Sequence, residues 1–481
     1  MPDEPTRVAR AWSLLTGDDG LRWPTVVAWA ALVVVMVVAL VDTLTYDFRV
    51  HPIVGDEASH LFTTLSLSGP GHNLSYGFAD LQRFNDLHWV PRPYGIFFQQ
   101  YGNGWAYAKP YGYGVYAAPF AWVFGTVHGV AVANSVLLVV LAAASIVMLR
   151  LRYRGPVVPL TVGVFVFLGL PLFYAYVIHP DLLLAVLTAI VFVLVLLHWQ
   201  TRHAAFAAGA FAVSTLLIVE NPRAVIVVLP VFVVVLWELR SWAARAVVVG
   251  VGAVAFAVVI TPNLVYSNGD SWNAYGGARY QAIPRLGSDV PFDGVHIYEL
   301  QGWRRIYTGD RFSTTRIVEK LFEDPVGGLR ATYYTFFGRN TGILVFVPLG
   351  FLILALVLAR VRSLDAHAWA ILGGVLAYVL VYAFAFPTNY YGGGQSLGNR
   401  YFLQIAPSLL ALAVAARVQA RALTIAALAG AVLSVAFLWP HFEDPSGAYS
   451  VGLARTSWLQ RRLPAETGIY YGYVFKQHLG Q

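Results

Sequence analysis

The sequence predicts an all-α polytopic membrane protein, and three observations predict it. Only 12% of the 481 residues are charged while 58% are hydrophobic, where a soluble domain carries about 25% charged residues. Runs such as 26–41 and 182–197 leave too little polar material to coat a water-soluble surface. Arginine also recurs at every second turn between apolar stretches, as the positive-inside rule requires.

Apolar stretches of spanning length fall at about 24–45, 129–149, 156–176, 182–199, 204–219, 223–239, 245–262, 342–360, 367–386, 401–416 and 422–440. A crossing helix needs about 17–25 apolar residues, so these predict about eleven transmembrane helices. The first apolar run begins near Trp23 and lacks a small-residue cleavage site, so it is expected to be a retained helix. Taking Arg7, Arg10 and Arg22 as cytoplasmic, the basic turns come in alternation: Arg150, Arg152 and Arg154; Arg202; Arg240 and Arg245; Arg360 and Arg362; Arg417 and Arg421. That alternation holds only if 113–124 does not cross and is instead a short helix in the outer interface. A further short helix is expected over 56–67.

Two large outer loops follow, about 47–128 and 263–339, together with a short extracytoplasmic tail from 441 to 481; residues 1–440 read as one transmembrane domain. Both loops are rich in Tyr, Trp, Gly and Asn, a composition that suits folded rather than disordered segments. There is no cysteine, which excludes disulfides and thiolate metal sites. The net charge of +7 comes mostly from arginines at helix ends and is no sign of nucleic-acid binding. Neither a phosphate-cradling P-loop nor an HExxH zinc pair occurs.

The residues with chemical potential gather at the predicted outer turns. Asp56 and Glu57 stand side by side in Val54-Gly55-Asp56-Glu57-Ala58-Ser59-His60. Adjacent carboxylates near an apolar surface can yield a general base, and both also suit the N-terminus of a helix. Lys109, in Lys109-Pro110-Tyr111-Gly112, reads either as a phosphate-binding point charge or as a snorkelling lysine before a Pro-started helix. His179-Pro180-Asp181 and Glu220-Asn221-Pro222-Arg223 occupy two further outer turns, each alone readable as a cap. Gly392-Gly393-Gly394-Gln395-Ser396-Leu397-Gly398-Asn399-Arg400-Tyr401 can offer backbone N–H groups and a guanidinium to an anion, or simply turn. In the second loop, Trp272 and Tyr275 lie in an Asn- and Gly-rich string that suits stacking on a sugar and equally suits an interface.

The order and sidedness of these motifs resemble the GT-C superfamily of membrane glycosyltransferases, which use polyprenyl-phosphate sugars. The resemblance rests on an acidic Gly55-Asp56-Glu57 after the first helix, Lys109-Pro110 opening a juxtamembrane helix, the His179-Pro180-Asp181 turn, Gly338-Arg339-Asn340-Thr341-Gly342 entering a late helix, and Gly392 to Tyr401 before another. It spans about residues 24–440. It implies that Asp56, with Glu57 as neighbour or substitute, is the base. Lys109, Arg400, Arg339 and Arg223 would bind the donor phosphate. His60, His179, Asp181, Glu220, Trp272, Tyr275, Gln395, Asn399 and Tyr401 would bind sugar or acceptor. The implied partners are a polyprenyl-phosphate-linked sugar, a glycan, glycolipid or protein acceptor, and membrane lipid. The site would be extracytoplasmic in a multi-pass cell-membrane protein with a cytoplasmic N-terminus. No cofactor is implied with certainty; a divalent metal is left open, since such enzymes vary in metal use. Only about forty residues follow the last apolar stretch, so the large carbohydrate-binding domain that many such proteins carry is not expected there. Two other readings stand beside this one: a transporter or flippase of a lipid-linked glycan, and a polymer ligase using a diphosphate-linked donor.

Overall fold

The computed structural model describes residues 22–48, 56–76, 80, 83–84, 87, 96–101, 104–269, 271–274, 279–282, 304–307, 322–392, 397–445 and 456–466. Within them the chain is a helical membrane protein. Six helices are individually long and apolar enough to cross a membrane. They are α1 (Trp23–Thr45), α4 (Thr126–Arg150), α7 (Asp181–Thr201), α10 (Trp242–Tyr266), α14 (Ala366–Ala385) and α17 (Ala420–Phe442). α7 is the buried centre of the bundle, whereas α1 and α10 leave most of their valines exposed. Exposed apolar faces of that extent need a lipid solvent.

The other five apolar stretches are also helical, but shorter or broken. α8 (Ala204–Glu220) and α9 (Val225–Glu238) are joined by a 3-10 turn over Pro222–Ala224. The 156–176 stretch becomes α5 (Val157–Val162), a π turn at Gly163–Phe167, and α6 (Leu170–Tyr174) started by Pro171. The stretch 342–360 divides into α12 (Ile343–Phe346) and α13 (Pro348–Leu358), and 401–416 into α15 (Arg400–Ile405) and α16 (Pro407–Ala415). Each of these three breaks has a proline in the first turn of the helix that resumes. Proline lacks the N–H a continuous helix would need there, yet its fixed φ suits a fresh first turn.

Two short helices lie where the sequence places them: α2 (Glu57–Ser68) and α3 (Gly112–Phe124). α2 is polar yet almost wholly buried. Its hydroxyls are satisfied locally: Thr63 and Thr64 donate to the carbonyls of Ser59 and His60, and Ser66 to those of Asn73 and Ser75. Gly114 of α3 allows the close approach of Thr63, since a Cβ there would collide with the Thr63 side chain.

A small antiparallel sheet was not foreseen. β1 (Ser75–Tyr76), β2 (Ile96–Tyr101) and β3 (Gly104–Tyr107) come from the first long loop; β4 (Arg279–Ala282) and β5 (Arg304–Tyr307) come from the second. Their order is β1-β3-β2-β4-β5, with Phe97 opposite Gln281 where the two loops meet. Strands of two to six residues give too short an alternation to stand out from interfacial aromatic composition. The last described segment also returns to the body, after α11 (Pro325–Phe337): Glu466 accepts hydrogen bonds from the backbone N–H groups of Asn340 and Thr341 and from both their side chains.

Candidate functional site

Three segments distant in sequence converge on Asp56. Asp56 occupies the cap position of α2, and its main-chain carbonyl accepts from Ser59 and His60, yet its side chain makes no capping hydrogen bond. The carboxylate turns instead to Lys109, with Nζ 2.9 Å from Oδ2. Arg400 Nη2 stands 3.8 Å and His179 Nε2 3.9 Å from the same oxygen. Arg400 Nη1 is 3.0 Å from His179 Nε2. Behind His179, its Nδ1 lies 2.8 Å from Oδ2 of the buried Asp181.

Each member is placed by its own local device. Lys109 is buried with its ammonium 4.3 Å from the centre of the Phe97 ring, a cation–π contact. The helix after it is held by Glu220, whose Oε1 accepts from the Gly112 N–H at 2.8 Å. The turn carrying His179 is held by Glu57, whose Oε1 accepts from the Ile178 N–H at 2.9 Å. Arg400 opens α15 behind the cap Asn399, which accepts from Phe402 N–H. Gly392, at φ +107°, packs flat against the Arg400 stem, where any Cβ would overlap it.

The electrostatics follow from these contacts. Burial alone would raise the Asp56 carboxyl, but Lys109, the His179 hydrogen bond and Arg400 outweigh it and hold it well below the usual carboxylate range. For His179, burial and Arg400 favour the neutral ring, while Asp181 and Asp56 prevail and lift it above the ordinary histidine value. His60, edge-on to His179 at 5.0 Å between ring centres, is pushed well down by burial and then by His179. Lys109 and Arg400 thus face two acids, Asp56 and Asp181, with the His179 ring between Arg400 and Asp181.

Comparison with known proteins finds no matching family model, no matching curated protein and no matching solved structure. The site is therefore read from its own geometry.

That geometry separates the two adjacent acids. Asp56 faces the cations, and Glu57 braces a backbone turn. Glu220 plays the same bracing part beside Lys109. Arg223 belongs to a neighbouring aromatic group: Nη1 donates to Tyr382 Oη at 2.9 Å and the guanidinium lies 4.3 Å from the Phe386 ring centre. Tyr401 joins this group, 4.5 Å from Tyr382 between ring centres. Arg339 is bound to the C-terminal segment, with Nη2 donating to the carbonyls of Arg461 and Leu463. Trp272 packs beside Phe256. Tyr275 and Gln395 lie outside the described residues. Among the described residues, no group of three or more His, Cys, Asp or Glu side chains is arranged to hold a metal ion.

Two site residues were missed by sequence reading. Gln404 donates to Asp181 Oδ1, and Asn221 in turn donates to Gln404 Oε1. The signal was a glutamine within the apolar stretch 401–416, a costly placement without a partner. Residues 394–398 also spell Gly-Gln-Ser-Leu-Gly, the spacing of a hydrolase nucleophile elbow. Such an elbow follows a strand, whereas here turns at 387–391 precede it.

Proposed function

We propose that the Asp56 cleft transfers a sugar from a polyprenyl-phosphate donor to a hydroxyl acceptor, with inversion at the anomeric carbon. The observation that carries this reading is a carboxylate and two basic side chains gathered in one cluster, with Asp56 Oδ2 2.9 Å from Lys109 and 3.8 Å from Arg400. The acceptor oxygen attacks the anomeric carbon while its proton passes to Asp56. The bond from that carbon to the phosphate oxygen breaks, and its electron pair leaves on the lipid phosphate. Lys109 and Arg400 balance the charge that develops there. In the resting cleft those cations make Asp56 a weak base. A donor phosphate draws on both of them, which loosens their hold and raises Asp56 toward the basicity that proton abstraction needs.

His179, backed by Asp181, holds Arg400 beside Asp56, and Tyr401 and Tyr382 supply aromatic surface near it. In this reading about eleven segments cross the cell membrane, the N-terminus is cytoplasmic and the cleft is extracytoplasmic. The test is transfer from a labelled polyprenyl-phosphate sugar in membranes containing the full chain. Asp56→Asn is expected to slow transfer at least about 100-fold, the scale of a lost general base. Undiminished transfer at normal expression removes Asp56 from the mechanism, and consumption of a diphosphate-linked donor in its place would favour a polymer ligase.

A further inference from the structure

The end of α17 and the returning segment 456–466 enclose an open groove of about 460 Å³, lined by Val435, Ala436, Trp439 and Pro440 on one side and by Thr456, Ser457, Trp458 and Arg461 on the other. Its volume lies in the range of ligand sites, about 300–1,000 Å³. No acidic side chain is among these lining residues.

Three features bear on what fills it. The first is a continuous apolar track. Ile425, Leu428, Val432, Val435 and Trp439 are all exposed and recur every three or four residues on α17, so they form one stripe along a crossing-length helix. Two of them, Val435 and Trp439, are also walls of the groove. The second is Trp458, 72% exposed in a segment that is otherwise firmly tied down. The ties are polar: Gln460 donates to the Arg339 carbonyl at 2.7 Å, Arg339 N–H to the Pro464 carbonyl at 3.0 Å, and Glu466 receives the four donors described above. Nothing in that clamp buries the indole. The third is charge. Arg461 and Arg462 are both exposed, and Arg461 is held in register by its own backbone, with its N–H on the Ser457 carbonyl and its carbonyl accepting from Arg339.

An apolar track that ends in an exposed tryptophan and an oriented arginine matches a molecule with a hydrocarbon chain and an anionic head. We propose that this groove binds one anionic phospholipid, its phosphate on Arg461 and an acyl chain along the outward stripe of α17. The proposal is independent of glycosyl transfer, since none of its residues belongs to the Asp56 cleft.

Lipid-dependent quenching tests it on the full chain in phosphatidylcholine vesicles containing a minor fraction of phosphatidylglycerol. Bromine on the acyl chains of one lipid or the other quenches nearby tryptophans, and subtraction of the Trp458→Phe signal isolates Trp458. Brominated phosphatidylglycerol is expected to reach half quenching at about one-fifth the mole fraction needed by brominated phosphatidylcholine, the effect of one basic residue at a membrane surface. Arg461→Gln should abolish the preference, and Arg461→Lys should keep it. In the unaltered protein, 1 M salt should also reduce it, because charge attraction is screened. Equal quenching by the two lipids, a preference that survives Arg461→Gln, or one insensitive to salt would each overturn the proposal.

Discussion

The N–H of Ile178 donates to Glu57 Oε1 at 2.9 Å, so the residue beside Asp56 fixes the residue beside His179. Two neighbouring carboxylates thus hold different posts, one facing cations and one bracing backbone. Glu57→Ala would leave a buried N–H without its acceptor, a loss of about 1–3 kcal/mol. Thermal unfolding in detergent should register that destabilisation, while Glu57→Gln, which keeps a carbonyl oxygen, should recover most of it. An Ala variant as stable as the parent would show that the brace is dispensable.

His179 sets a stability dependence at neutral pH. Its folded value is raised, chiefly by Asp181 against the opposing effects of burial and Arg400. The stabilisation from its protonated form is therefore complete below the unfolded value, about 6.5, and is lost as pH rises through the higher folded value. The parent protein should lose thermal stability across that window. His179→Gln should be flatter there, and identical slopes for the two would contradict the assignment.

Asp56 works in the opposite sense. Its folded value is depressed, so its stabilisation is present above about pH 3.9, the unfolded value, and falls away as pH drops through the folded value. At neutral pH, Asp56→Asn leaves Lys109 and Arg400 facing each other without the shared carboxylate. A stability loss together with tighter retention of polyprenyl phosphate, measured by equilibrium binding in nanodiscs, is the expected pair of results. Weaker retention would mean that Asp56 itself holds the lipid.

The apolar segments were legible because hydropathy acts over some twenty residues and survives local irregularity. Helix breaks were less so: Pro171, Pro348 and Pro407 are visible in the sequence, but whether a proline kinks or restarts a helix depends on its neighbours. Asp56, Lys109, His179, Asp181 and Arg400 could be put on one side of the membrane from the alternation of basic turns, but the turns alone did not set them apart from Arg223 and Arg339, which the fold engages elsewhere. The division of labour between Asp56 and Glu57 was not legible there either, since it depends on which side chain meets the Ile178 N–H. The sheet between the loops and the Glu466 clamp were hidden for a related reason. Each is a long-range pairing, and neither β4 nor Glu466 carries a local pattern that names its partner.

The clamp gives the last prediction. Glu466 gathers the backbone N–H groups of Asn340 and Thr341, Asn340 Nδ2 and Thr341 Oγ1, and Thr341 Oγ1 lies 3.0 Å from Tyr390 Oη. The next residue, Tyr391, accepts the Arg400 N–H at 3.1 Å through its carbonyl. The C-terminal segment is therefore linked to the Arg400 turn through three consecutive contacts. Glu466→Gln replaces one acceptor oxygen with an amide that presents hydrogens to donors, so the segment should detach. Trypsin should then cut at Arg461 and Arg462 at least about tenfold faster, the change expected when roughly 1.4 kcal/mol is lost from a local opening equilibrium. The same variant should weaken polyprenyl phosphate binding less than Arg400→Gln does, because it loosens the turn without removing the charge. Unchanged cleavage at both arginines would show that the four hydrogen bonds do not hold the segment in place.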